Sequence, residues 1–213
     1  SSINLLPDGS FPVYVPNPES SVMVENASKQ VISTGADFGI VFDTDVDRAG
    51  CILKDGTELN RNRLIAMISA VILENDPGAT IVTDSVTSSG LAEFISSHGG
   101  VHLRFKRGYR NVINKQIELN REGIDCPLAI ETSGHAAFRE NYYLDDGAYL
   151  VTKLIIKAAK LRESGGSLEN FISDLKEPAE ERELRFKIML DDFRDYGEKV
   201  ISKPTAAGAA GKK

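Results

Sequence analysis

The sequence predicts an α/β protein, a mostly parallel mixed sheet flanked by helices, with a partial second domain at the N-terminus. Three observations predict it. Between residues 79 and 162, short strand-like runs alternate with stretches of helical periodicity, the pattern of βαβ units. An apolar content of 41% over 213 residues supports a real core. Ahead of the alternation stands a short apolar run, Phe38 to Phe42, that leads straight into an acidic loop.

In chain order, residues 1–18 carry Pro7, Pro12, Pro16 and Pro18, which favour extended loop over helix. Pro7-Asp8-Gly9 offers a turn before any strand or helix has formed, so the chain is expected to be a piece of a longer protein. Val22, Val24, Ala27, Val31 and Ile32 give Glu19–Ser33 a helical pattern that ends near Gly35. Phe38–Phe42 reads as a buried strand and Ala49–Leu53 as a second, turned by Lys54-Asp55-Gly56 as in a hairpin. Asn60 is expected to cap a helix carrying Leu64, Ile65, Met67, Ile68, Val71 and Ile72, which stops before Asn75-Asp76-Pro77-Gly78. A strand at Ala79–Thr83, a helix at Ser88–Ser97, a strand at Val101–Phe105, a helix at Arg110–Asn120 and a strand at Pro127–Glu131 follow. A long helix then runs from about Asp146 to Arg162 and is ended by Ser164-Gly165-Gly166. Ser167–Leu175 reads as a short helix capped by Ser167, residues 176–182 as a charged linker, Glu183–Leu190 as a strand and Asp191–Ile201 as a helix. Residues 204–213, PTAAGAAGKK, are of low complexity and expected to be disordered.

The net charge of −6 and a pI near 5.2 argue against nucleic acid as the main partner. No apolar run reaches membrane-spanning length, which argues against a membrane partner. Cys51 and Cys126 are far apart and lack metal-ligand spacing; two buried, reduced thiols in a cytoplasmic protein is the expectation.

Three strand-end loops carry the polar chemistry. After Phe42 come Asp43, Asp45 and Asp47, alternating with Thr44 and Val46 and followed by Arg48. Three carboxylates so close repel unless a cation sits among them, and oxygen-only ligands suit Mg²⁺. Arg48 adds a planar, permanently charged fork suited to phosphate. After Phe105 comes Lys106-Arg107-Gly108-Tyr109-Arg110, a basic loop whose glycine admits close backbone approach. After Ile130 comes Glu131-Thr132-Ser133-Gly134-His135, in which Glu131 and Ser133 can accept from and donate to sugar hydroxyls. Metal, phosphate and polyol chemistry in one cleft suggest a phosphorylated sugar as ligand.

These residues together resemble the α-D-phosphohexomutase superfamily, the phosphoglucomutases and phosphomannomutases, over about residues 7–160. The family's metal loop, Asp-Gly-Asp-Gly-Asp-Arg, is matched by Asp43-Thr44-Asp45-Val46-Asp47-Arg48, and its sugar loop, Gly-Glu-x-Ser-Gly-His, by Ile130 to His135. The Lys-Thr-Gly-His segment corresponds to Lys106-Arg107-Gly108-Tyr109; Pro7-Asp8-Gly9, Phe11-Pro12 and Asp145-Asp146-Gly147 are also similar. The resemblance implies a four-domain, Mg²⁺-dependent enzyme. In it a phosphoserine of domain 1 donates its phosphoryl group to a hexose phosphate and takes it back from the other end, through a bisphosphosugar. It implies Asp43, Asp45 and Asp47 on the metal, Arg48 on phosphate, and Lys106, Arg107, Gly108, Glu131, Ser133 and His135 on substrate. Residues 1–50 would be the end of domain 2, 51–176 domain 3, 177–203 a linker and the start of domain 4, and 204–213 a tail. No Ser-His-Asn-Pro nucleophile loop precedes Asp43 and no Arg-x-Ser phosphate loop follows residue 176, so domains 1 and 4 of a longer chain are the implied partners and this stretch alone is expected to be inactive. Thr44 and Val46 replace glycines, so the loop is expected to avoid positive φ there. Tyr109 stands where many members carry His and is assigned no proton-transfer role.

Two other readings fit parts of the pattern. FGIVFDTDVD imitates a haloacid-dehalogenase-type phosphatase, with Asp43 as nucleophile and Asp45 as acid/base, but Asp47 and the Glu131 loop have no place in that scheme. A sugar-phosphate-binding module without catalysis is the other. An EF-hand is excluded because Arg48 replaces the turn glycine and Lys54 the bidentate Glu.

Overall fold

A computed structural model describes residues 3–4, 6–180, 182 and 187–210, which fall into two units, 1–178 and 179–213. In the first, α1 (Ser21–Thr34) ends at Gly35, whose φ of +63° closes the last turn in the left-handed conformation. β1 (Phe38–Phe42), β2 (Ala49–Leu53) and β3 (Glu58–Leu59) form an antiparallel sheet in that order. The register pairs Phe42 with Ala49 and Phe38 with Leu53, so residues 43–48 are the connection of a hairpin.

Asn60 does not cap the next helix, α2 (Asn62–Leu73), whose N-cap position is Arg61. The Asn60 side chain is spent elsewhere: its Oδ1 accepts from the Cys51 N–H at 3.1 Å, and its Nδ2 donates to Pro18 O at 3.1 Å and Glu58 Oε1 at 2.6 Å. A side chain that already satisfies a sheet edge has nothing left for a helix start.

The second sheet has the order β5-β4-β6-β7, formed by β4 (Thr80–Thr83), β5 (Val101–Arg104), β6 (Leu128–Ile130) and β7 (Ala136–Phe138). β5, β4 and β6 are parallel and β7 runs antiparallel to β6. The helices α3 (Ser89–Ser97), α4 (Tyr109–Arg121) and α5 (Gly147–Glu163) fall where periodicity predicts them. Ser88 and Asp146 cap α3 and α5, accepting from the backbone N–H groups of Leu91 and Tyr149 at 3.0 and 2.9 Å. The short helix α6 (Leu168–Phe171) is capped by Ser167 but stops well before Leu175. β7 was not expected: three small or aromatic residues directly after a polar loop carry no period to read.

One core joins the two sheets. Cys51 and Leu53 of β2, Leu59 of β3, Leu64, Ile65 and Ile68 of α2, Ile81 of β4, Leu128 of β6, Phe138 of β7 and Leu154 of α5 belong to a single buried cluster. Cys51 and Cys126 are both buried and unbridged, and burial pushes each thiol up to about 12. Among the described residues no helix is long and apolar enough to cross a membrane.

In the second unit, residues 187–190 form no strand, and the remainder of the expected strand, 183–186, lies outside the described residues. α7 runs Phe193–Ala210, so a helix replaces the expected disorder up to Ala210. Alanine is the best helix former, and four of the last five helical residues are alanine.

Candidate functional site

The hairpin connection Asp43–Arg48 folds back on its own first residue. Arg48 donates through Nε to Asp43 Oδ2 at 2.6 Å and through its backbone N–H to Asp43 Oδ1 at 3.2 Å. It also reaches Asn17 Oδ1 through Nη1 at 3.4 Å. Asp43 is buried, Asp47 half-buried and Asp45 exposed, and one carboxylate oxygen from each lies within 4.8 Å of the other two. Burial opposes ionisation of Asp43, but the bonds from Arg48 outweigh it and hold the carboxyl below its ordinary value. Asp47 is pushed up to about 6, by burial, by a bond shared with Asp43, and by the charges of Asp43 and Asp145 against the pull of His135. Three hard oxygen donors converging on one point, one of them held away from ionisation by its neighbours, is a donor set that fits a small divalent cation.

Val46 sits at φ +64°, against the expectation that a β-branched residue keeps this loop out of positive φ. The constraint is tertiary. Val46 O accepts from the Gly147 N–H at 3.0 Å, so the first residue of α5 clamps the loop, and a Cβ on Gly147 would come within 2.8 Å of that oxygen.

The second loop docks against the first through backbone. Ala49 N–H donates to Gly134 O at 3.3 Å, and Arg48 and His135 form an antiparallel bridge. Gly134 lies at φ +98°, and a Cβ there would meet Ala49 O at 2.6 Å, so only glycine allows the approach. His135 Nδ1 is 2.8 Å from Asp145 Oδ2 and 3.7 Å from Asp47 Oδ2. Burial lowers the His135 pKa, but the Asp145 bond and the charges of Asp145, Asp47 and Glu131 raise it above its ordinary value. The Tyr109 ring stacks on that of His135, with centroids 5.1 Å apart.

The third loop joins through Glu131. Its buried carboxylate accepts from the Gly108 N–H at 2.6 Å through Oε1, while Oε2 receives the Ser133 hydroxyl at 3.4 Å. Burial raises its pKa against the Gly108 bond, with the Asp84 charge pushing the same way. Lys106 and Arg107 are exposed; Arg107 acts by charge on both Glu131 and Asp84.

The structure thus brings Asp43, Asp45, Asp47, Arg48, Gly108, Glu131, Ser133 and His135 into one contiguous set and leaves the side chains of Lys106 and Arg107 exposed. Sequence reasoning missed Asp84, Asp145 as the partner of His135, and Tyr109 as a ring packed on it. Asp84 follows an apolar strand in the same way Asp43 does, which is the signal that marks it.

Residues 60–178 match the family model described as phosphoglucomutase/phosphomannomutase, alpha/beta/alpha domain III, and residues 1–56 that of domain II. A phosphomannomutase/phosphoglucomutase of Pseudomonas putida is 33% identical over 173 residues, 80% of this chain and 36% of that protein. A phosphomannomutase of Methanocaldococcus jannaschii is 28% identical over 186 residues, 87% of this chain and 40% of that protein. Among solved structures, a phosphoglucomutase/phosphomannomutase family protein from Burkholderia thailandensis aligns with a TM-score of 0.69 at 30% identity, over 80% of this chain and 35% of that one. An Aspergillus fumigatus N-acetylphosphoglucosamine mutase in complex with GlcNAc-6P and magnesium aligns with a TM-score of 0.52 at 10% identity, over 76% of this chain and 37% of that one, which is a likeness of fold. The chain spans about a third of the length of the Pseudomonas relative and of the Burkholderia structure.

Proposed function

The chain belongs to the phosphoglucomutase/phosphomannomutase family, and from that premise we propose that it is the metal- and sugar-binding part of a mutase. That enzyme moves a phosphoryl group between the 1- and 6-positions of a glucose or mannose phosphate through a bisphosphosugar. The observation that carries the reading is the backbone docking of the Asp43–Arg48 loop on the Glu131–His135 loop, which sets acidic oxygens, an arginine and sugar-type hydrogen-bonding groups side by side.

Asp43, Asp45 and Asp47 would hold Mg²⁺, which when bound offsets the charge of a phosphoryl group. The Aspergillus mutase of similar fold, solved in complex with GlcNAc-6P and magnesium, supports that choice. Arg48 is oriented by Asp43 through Nε and by Asn17 through Nη1, which sets the direction from which its guanidinium would meet a phosphate. Glu131 is anchored at one oxygen by the Gly108 N–H, leaving the other to accept from a sugar hydroxyl that Ser133 also reaches. His135, with Nδ1 held by Asp145, presents Nε2, and Lys106 and Arg107 supply exposed positive charge for the anionic ligand. Residues 1–50 act as the end of a second domain, 51–176 as a third and 177–203 as the start of a fourth. Buried, unbridged thiols at Cys51 and Cys126 fit a cytoplasmic enzyme.

The phosphoserine comes from outside this stretch, which therefore binds ligand without turning it over. A phosphatase using Asp43 is disfavoured because that scheme has no place for Asp47, whose carboxylate converges with those of Asp43 and Asp45, or for the Glu131 loop. The test is calorimetric titration of this chain with glucose 1-phosphate and mannose 1-phosphate, with and without Mg²⁺. Binding should require Mg²⁺ and weaken about tenfold or more in Asp45→Asn and Glu131→Gln, the loss of a charged contact. Failure of either sugar phosphate to bind in the presence of Mg²⁺ would sink the reading. Turnover by this chain in a coupled mutase assay, or a beryllium fluoride adduct on the Asp43 carboxylate, would refute the assigned roles.

A further inference from the structure

β4 lies between β5 and β6, and the residue that follows it, Asp84, therefore stands between the basic loop after β5 and the sugar loop after β6. Its side chain is fully buried. Oδ2 accepts from Thr132 Oγ1 at 2.7 Å, while Oδ1, also buried, has no partner among the described residues. Burial raises the carboxyl's pKa against the Thr132 bond and the charge of Arg107. A buried carboxylate oxygen without a donor is costly, and a neutral side chain of similar size would fill the space at less cost. Its presence is explained by what it holds. Thr132 sits between Glu131 and Ser133, so the bond to Asp84 pins the backbone that carries both sugar-facing groups.

We propose that Asp84 is a positioning residue: acting through Thr132 it sets the placement of Glu131 and Ser133 toward the hexose hydroxyls. The role of the loop in sugar binding rests on the function proposed above; the anchoring does not. Two measurements on this chain separate them, amide hydrogen exchange of residues 131–135 and calorimetric affinity for glucose 1-phosphate with Mg²⁺. Thr132→Val, which keeps the shape and removes the donor, should speed exchange at Ser133 and Gly134 and weaken affinity about tenfold, the loss of one hydrogen bond to a charged group. Thr132→Ser, which keeps the donor, should restore both. Asp84→Asn keeps an acceptor for Thr132, so it should leave exchange and affinity near wild type, whereas Asp84→Ala, which removes the acceptor, should reproduce the effects of Thr132→Val. Faster loop exchange in Thr132→Val with no sugar binding even by the wild type would uphold the anchor and refute the functional reading. Wild-type exchange and affinity in Thr132→Val would overturn the proposal. So would a global rise in exchange that Thr132→Ser fails to reverse, because that marks a structural role alone.

Discussion

Asp43–Arg48 and Glu131–His135 are loops of similar length, each opening on an acid and each closed by a backbone bond from its first residue to its last, Asp43 N to Arg48 O at 3.4 Å and Glu131 N to His135 O at 2.9 Å. Their charges are settled differently. The first gathers three carboxylates around one arginine and holds a β-branched residue, Val46, in left-handed backbone. The second has a single carboxylate, met by the neutral N–H of Gly108, and places glycine at its left-handed position. The Asp43–Arg48 loop therefore keeps crowded charge and a strained backbone, whereas the Glu131–His135 loop keeps one acid and a glycine where the backbone turns left-handed. That difference is what a site for a divalent ion and a site for neutral hydroxyls should each show.

Substitutions at the left-handed positions break the comparison most sharply. Gly134→Ala should cost about 2–4 kcal/mol in urea denaturation, because it adds both a positive-φ penalty and a clash with Ala49 O. A cost under about 1 kcal/mol would mean the two loops are not locked together as described. Val46→Gly should have the opposite sign and stabilise the chain by about 1 kcal/mol, strain relief exceeding the added unfolded-state entropy. Destabilisation by this change would show that Val46 is not strained.

The smallest effect is one of pH, since solvent screening limits the energy at a part-exposed carboxylate. Asp47 has a folded value of about 6 against an ordinary 3.8, so folding favours its protonated form. The stability it contributes is fully present below about pH 3.8 and is lost as pH rises through about 6. Without Mg²⁺, the wild type should lose stability relative to Asp47→Asn across that window, and Mg²⁺ should reverse the loss in the wild type alone. Parallel pH profiles for the two proteins would remove the case for crowded charge in this loop.

Much of this was legible in the chain itself. The βαβ alternation, the strand before the acidic loop and the Ser167 cap depend on period and local chemistry, which neighbours in sequence express, whereas Ser88 and Asp146, read as the first residues of their helices, are the caps before them. Asn60 misled because its partners, Pro18 and Cys51, are distant in sequence. β7 was hidden because three residues show no period, and the helix up to Ala210 because low complexity was weighed above alanine's propensity.

The sequence by itself determined the order of the longer strands and helices up to α5, because backbone propensity and hydrophobic period are written locally. Only the tertiary structure decided that Gly134 lies on Ala49, that Gly147 clamps Val46 into left-handed backbone, and that Asp84 and Asp145 stand behind the loops they support. Those contacts join residues whose approach depends on sheet order and on glycines placed where a side chain would collide, and neither constraint leaves a mark within any one segment.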